Sequence, residues 1–196
     1  MNKFEELKDT ENYKKAITGI KALFELVGEN SSREGLKRTP ERFLKACINE
    51  WFGGYDKDPE QFSTQFLDGA ENYNDMVLVK NIKVQSHCEH HLAPIVGVAH
   101  VAYIPSRTII GLSKINRIVD LYSRRLQVQE RLTGQIAKAI DSILHPKGVA
   151  VLITADHFCI KTRGIGDEQS ITETAKLLGV FETDLVWQEK FFRAVK

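Results

Sequence analysis

Five consecutive residues, His87-Cys88-Glu89-His90-His91, crowd thiol, imidazole and carboxylate donors into one short stretch just before Pro94. Cys88 and His91 stand at a Cys-x2-His spacing, which suits one ion, and zinc accepts both thiolate and imidazole. Taken alone, the cluster also reads as a set of ordinary loop residues. A second group, His157-Phe158-Cys159, changes the balance. Read as a strand, it points His157 and Cys159 to one face and Phe158 into the core. Two Cys and up to four His from two distant segments would supply a mixed Cys/His zinc site. Only two thiols are available, so a four-cysteine structural site is excluded. Three protein ligands plus water is the arrangement of a catalytic zinc.

A third cluster, Gly111-Leu112-Ser113-Lys114-Ile115-Asn116-Arg117, allows Ser113 to cap a helix whose free N–H groups, with Lys and Arg nearby, would take phosphate. An ordinary capped helix with solvated basic residues is the alternative. Glu130, beside Gln129 in the segment Gln127-Val128-Gln129-Glu130-Arg131, could accept the two donors of a guanine edge, N1–H and the 2-amino group. Here the alternative is a solvated first turn. Cys47 falls on an apolar stripe with Phe43, Leu44, Ile48 and Trp51, which makes it a core residue. His100 alternates with apolar residues and reads as a half-buried or surface strand histidine, and His145 beside Pro146 reads as a turn residue.

The elements that must position these groups follow from periodicity. Ala16, Ile17, Ile20, Leu23, Phe24 and Val27 trace one helical stripe that stops at Gly28. Thr39-Pro40 announces a second helix, with Thr39 as N-cap, that ends at Gly53-Gly54. Residues 55–75 read as a connecting loop with one helical turn near Pro59. Strands are expected at 76–84 and 94–104, helices at 112–122 and 128–143, then strands at 149–155, 158–162 and 172–181, and a last helix at 185–195. Two strand pairs, each beside a helix pair, predict an α+β domain in which antiparallel strands form one sheet and the long helices cover one of its faces. Residues 1–75 form the expected N-terminal helical region and 76–196 the expected catalytic domain.

Composition narrows the class. The chain has 196 residues and a net charge of +1, from 27 Lys plus Arg against 26 Asp plus Glu. That balance lacks the basic footprint of nucleic-acid binders. A chain of this length buries roughly 70% of its unfolded surface, so a metal is needed for chemistry rather than for holding the fold together. The longest apolar runs are far short of the ~20 residues that span a bilayer. No secretion signal is read at the start, so a cytoplasmic location with three reduced Cys is expected.

Together the four motifs, Ser86-His87-Cys88-Glu89-His90-His91, Gly111 to Arg117, Gln127 to Thr133, and His157-Phe158-Cys159 with Arg163-Gly164, closely resemble those of GTP cyclohydrolase I, in order and from about Thr39 to the C-terminus. The resemblance implies the tunnelling fold, in which ββαα units of several subunits close a β-barrel, and a homodecamer of two face-to-face pentamers with active sites at subunit interfaces. It implies conversion of GTP and water to 7,8-dihydroneopterin triphosphate and formate, the first step of folate or tetrahydropterin synthesis. It further implies Zn2+ ligated by Cys88, His91 and Cys159, with His90 and His157 as catalytic histidines. Glu130 would anchor the guanine, with Gln129 beside it, Ser113, Lys114, Arg117 and Arg163 would contact the triphosphate, and Glu89 and Leu112 would also bind substrate. Glu173 and Lys176 depart from the small polar residues expected near them.

Three rivals carry different chemistry. A queuosine-pathway reductase of similar architecture would use a nucleophilic Cys and NADPH without catalytic zinc, and the paired Cys-x2-His and His-x-Cys motifs argue against it. A pterin synthase would hold zinc with three histidines and would not need Cys88 or Cys159. A scaffold that has lost turnover is disfavoured because every residue needed for catalysis is present.

Overall fold

The computed structural model describes residues 3–67 and 73–196, and its contacts divide them into two compact units that meet between Gly53 and Gly54. Residues 68–72 of the expected connecting loop lie outside the described residues.

The first unit is helical. A short helix α1 (Lys3–Leu7) precedes α2 (Glu11–Leu26) and α3 (Thr39–Ala46), and a π-helical turn, Cys47–Trp51, extends the last. Thr10 caps α2 by accepting from the Tyr13 backbone N–H at 3.2 Å, which satisfies one of the donors a helix start leaves free. Gly28, at φ +82°, turns the chain out of it, as its position in the sequence suggested. Thr39 proves to be the first residue of α3 rather than its cap, and Arg38 takes the cap position without a side-chain bond. Cys47 is half-buried, and burial pushes its thiol pKa up. Within this unit α2 buries none of its residues, and Leu23, Leu26 and Val27 are exposed.

The second unit begins with a 3-10 turn at Pro59–Phe62, the expected turn near Pro59, and continues through β1 (Gln65–Phe66), β2 (Val77–Cys88), β3 (Pro94–Ile104) and β4 (Ile109–Ile110). Then come α4 (Leu112–Ser123), β5 (Leu126–Gln127), α5 (Gln129–Leu144) and β6 (Gly148–His157). The chain closes with α6 (Phe158–Lys161), β7 (Thr172–Gly179), α7 (Val180–Thr183) and α8 (Leu185–Val195). Five strands form one sheet in the order β5-β2-β3-β6-β7, antiparallel except for the β2–β5 pair, while β1 and β4 pair separately.

Period-two alternation gives the sheet two faces. Val84, Ile95, Ala99, Val101, Tyr103, Val151 and Ile153 face α4 and α5, whose Ile115, Ile118, Val119, Leu132, Ile136 and Ile140 complete the main core. Ala102, Ile104 and Ala150 point the other way and pack with Phe181 of α7 and Phe191 of α8. The long helices α4 and α5 thus cover one face, as the sequence implied, and the C-terminal helices α7 and α8 lie on the other. The C-terminal stripe is apolar enough to need a cover of its own.

Three strand expectations change. β2 runs on from Val84 to Cys88, because the polar residues Gln85 and His87 alternate with buried Ser86 and Cys88. The 172–181 strand stops at Gly179, whose φ of +60° turns the chain into α7. The expected strand at 158–162 is the helix α6: Thr162 N–H donates to the Phe158 carbonyl at 3.0 Å and its hydroxyl donates there at 2.6 Å. A short apolar run such as Phe158 to Ile160 has no period that separates helix from strand. His100 is 6% exposed, more buried than expected, and its Nδ1 accepts from the Asn81 N–H at 3.4 Å where β2 bulges. His145 does turn the chain, at φ +46° after α5.

The approach of β3 to β6 is close at Gly97, where a Cβ would collide with the Thr154 carbonyl oxygen and lie 2.6 Å from Ala155 Cα. A Cβ at Gly134 in α5 meets nothing within 4 Å. Gly97→Ala is therefore expected to destabilise the protein by about 1–3 kcal/mol, and Gly134→Ala to stabilise it by about 0.5–1 kcal/mol. Thermal denaturation of the two variants beside the parent checks both signs.

Candidate active site

The metal-donor cluster is built where β2 and β6 end and β3 begins. Cys88 is the last residue of β2, and the turn to β3 is closed by two backbone bonds, Cys88 N–H to Ala93 O and Leu92 N–H to Cys88 O, both 2.8 Å. That turn lifts His90 and His91 above the sheet edge, with Leu92 at φ +55°. On the far side of β3, β6 ends at His157 and α6 brings Cys159 round in its first turn. The register places Ile95 opposite both Ser86 and His157, which sets the two motifs side by side.

The result is a group of three donors, one atom each from Cys88, His91 and Cys159, all within 4.8 Å of one another. Cys88 is buried, Cys159 half-buried and His91 exposed. Burial raises the Cys159 thiol pKa, and contact with the Cys88 thiol raises it further. Two thiols held against each other with an imidazole fit a soft or borderline cation, which would favour both thiolates. The group can hold a metal ion. No fourth residue joins that group among the described residues.

Around it the expected residues divide. His90 lies with its Nδ1 3.8 Å from Cys88 Sγ and its Nε2 3.9 Å from Glu89 Oε1. His157 Nε2 meets Gln129 Oε1 at 2.6 Å, and burial lowers the His157 pKa against the opposing charges of Glu130 and Asp156. Arg163 Nη1 donates to His91 Nε2 at 3.0 Å. Glu130 stands exposed in the first turn of α5, next to buried Gln129.

Leu112, Ser113, Lys114 and Arg117 belong to a different place. They open α4, near Tyr103, whose hydroxyl accepts from Ile110 N–H at 3.4 Å. The helix then returns along the sheet, roughly 18 Å at ~1.5 Å per residue, so that its far end reaches the donor cluster, where Ser86 Oγ bonds Arg125 O. One chain therefore separates the basic cluster from the thiols. Ser113 was read as a possible cap, but Gly111 is the cap residue and makes no side-chain bond, which leaves Ser113 exposed.

Arg131 was not singled out from the sequence. It pairs with Glu89 and donates through Nε to Gln127 Oε1 at 3.2 Å, while the Glu89 N–H bonds Gln127 O at 3.0 Å. The pair ties the donor turn to the start of α5. The signal available was Arg131 itself, following Glu130 within a motif already marked.

A family model described as GTP cyclohydrolase I matches residues 16–196. This chain belongs to the GTP cyclohydrolase I family. Its relatives include GTP cyclohydrolase 1 of Pelagibacter ubique, 50% identical over 182 residues that cover 93% of this chain and 90% of that protein. GTP cyclohydrolase 1 of Maricaulis maris is 45% identical over 92% of this chain and 88% of its own. That of Sinorhizobium fredii is 46% identical over 93% of this chain and 89% of its own. Membership accounts for the α+β architecture as a tunnelling fold. Among the described residues no helix is long and apolar enough to cross a membrane.

If the three donors act as one site, Cys159→Ser weakens metal retention by more than the roughly 10–100-fold typical of losing an outer partner of a ligand. Cys47→Ser leaves retention unchanged. Metal content per chain after dialysis against a graded chelator separates the two.

Proposed function

We propose that the chain is a GTP cyclohydrolase I that opens the imidazole ring of the guanine of GTP, releases formate and rearranges the ribose to give 7,8-dihydroneopterin triphosphate. The observation that carries this reading is the Cys88, His91 and Cys159 group lying beside His157 and Glu130. The ion assigned to it is zinc, since two thiols and an imidazole with one position left over match the donor set of a catalytic zinc. Bound there, zinc supplies a Lewis acid and lowers the pKa of water to near neutrality.

The chain's own groups carry the remaining work. The Glu130 carboxylate accepts from N1–H and the 2-amino group of guanine, which fixes C8 toward the thiols. His90 supplies the proton that ring opening requires at the purine nitrogen, and His157 exchanges protons near the ribose ring oxygen. Both roles need groups that change protonation near neutral pH, which imidazole does. Glu89, held by Arg131, keeps the His90 turn in place.

Arg163 stands at the donor group, ready for the triphosphate, but Ser113, Lys114 and Arg117 lie at the other end of the sheet. Their triphosphate role therefore calls for the α4 start of a neighbouring copy, with Leu112 of that copy against the base. This supports sites at subunit interfaces and the toroidal homodecamer of two pentamers. Exposed Leu23, Leu26 and Val27 of α2 give such an assembly something to bury. Residues 76–196 then act as the catalytic domain and 1–75 as a helical region. Three free thiols suit a cytoplasmic enzyme.

Incubation of the purified oligomer with GTP should release formate and a fluorescent pterin, and both should vanish after chelation and return with zinc. A well-folded, zinc-loaded protein that makes neither would overturn the reading. His157→Ala should keep its zinc and lose product formation by roughly 10²–10⁴-fold, the range contributed by general acid–base catalysis. Product at the parent rate would remove His157 from the proton path.

A further inference from the structure

Gln129 opens α5, directly after the extended residue Val128, and is 1% exposed. Its side chain leaves the helix and reaches back to the sheet. The Nε2 group donates to two backbone carbonyls, Ile153 O of β6 at 3.0 Å and Thr172 O of β7 at 3.1 Å. A carbonyl oxygen only accepts, so the NH2 end of the amide must lie on that side. Turning the amide over would press its oxygen against both carbonyl oxygens, neither of which can donate to it. The orientation is thus decided by the hydrogen-bond partners themselves.

The other end of the amide is then an oxygen, and it lies 2.6 Å from His157 Nε2. An amide oxygen only accepts as well, so His157 Nε2 must carry a proton. The opposite tautomer would set two lone pairs against each other in a buried contact. In the neutral ring the free lone pair is consequently on Nδ1. The anchor is secured further: Thr133 Oγ1 donates to Gln129 O at 2.7 Å and shares a 2.6 Å bond with Thr174 Oγ1 of β7. Gln129 keeps all three side-chain bonds only while α5, β6 and β7 are docked together.

We infer that Gln129 is a positioning residue that fixes His157 as the Nε2–H tautomer, so that Nδ1 is the nitrogen that exchanges protons in the reaction. This rests on the proton-transfer reading of His157 given above. The Nδ1 lone pair takes a proton to give an imidazolium protonated on both nitrogens, and releasing that proton restores the same tautomer. Nε2 keeps its proton throughout, held on the Gln129 oxygen. Gln129 has both amide donors engaged in protein bonds, and its oxygen is already taken up by His157 Nε2–H, which leaves only a second lone pair. Its place beside Glu130 serves the histidine rather than the base.

The test reads the tautomer directly. Magic-angle-spinning 15N spectra of the histidine-labelled, metal-loaded oligomer, with His157 assigned by its absence in His157→Asn, should give a pyrrole-type Nε2 and a pyridine-type Nδ1. The reverse assignment overturns the inference. Gln129→Met keeps the side chain's length and removes its bonds; it should give a mixture of tautomers and lower kcat by roughly 10²-fold or more, with KM for GTP unchanged. Gln129→Glu should restore the single tautomer and part of kcat at a pH where its outer oxygen is protonated toward the Ile153 and Thr172 carbonyls, because its inner oxygen then still accepts from Nε2–H. A Gln129→Met protein with the parent tautomer and kcat, or with raised KM and intact kcat as for a substrate contact, overturns it. Loss of the single tautomer with kcat intact would uphold the lock and overturn the proton role of His157. If Gln129→Met does not fold, the parent spectrum and Gln129→Glu still decide.

Discussion

Ile95 sits opposite Ser86 on one side and His157 on the other, and the placement of the reactive groups depends on that double register. Cys88 ends one flanking strand and His157 the other, so their motifs, far apart in sequence, meet across β3. A slip of one residue in either pairing would turn an entire strand over, sending buried Val84 or Ile153 to the wrong face. Register is therefore enforced by the whole main core, in which Ile95, Ala99 and Val101 pack under α4 and α5. The close backbone approach at Gly97 and Ala155 belongs to the same constraint.

On that frame the polar network is held by desolvation. Gln127 and Gln129 are each 1% exposed, and a buried amide left without partners costs about 1–3 kcal/mol per unpaired group. Each finds its partners in protein: Gln127 bonds Tyr122 O and Gln135, and Gln129 bonds Ile153 O, Thr172 O and His157. Two buried amides flanking Val128 thus tie the start of α5 to β5, β6 and β7. Glu89 and Arg131 carry that rigidity to the donor turn. The turn itself is short and exposed, and its geometry depends on these ties.

The proposed triphosphate role of Ser113, Lys114 and Arg117, set apart from the thiols, is what ties the proposed function to an assembly of several copies. A single chain offers a metal group at one end of its sheet and a basic helix start at the other. In that proposal a nucleotide spans both, its base at one end and its triphosphate at the other. On the proposed function, copies packed side by side would bring one chain's basic end to the next chain's thiols without any change in the fold.

By itself the sequence determined the donor types, their spacing and most of the elements. Cys88-x2-His91 and His157-x-Cys159 needed only local reading, and the stripes of α4, α5 and α8 are strong because helical period persists over several turns. Short segments were not legible in the same way. Phe158 to Thr162 is too brief to show a period, so the helix that carries Cys159 was read as a strand. The second covered face of the sheet was hidden because alternation marks which residues share a face and not what packs on it. Only the tertiary structure decided that Gln129 meets His157, that Arg131 holds Glu89, and that α4 opens away from the metal group. Each of those contacts joins residues on different elements, and their distance is set by strand register and helix docking, which no local pattern encodes.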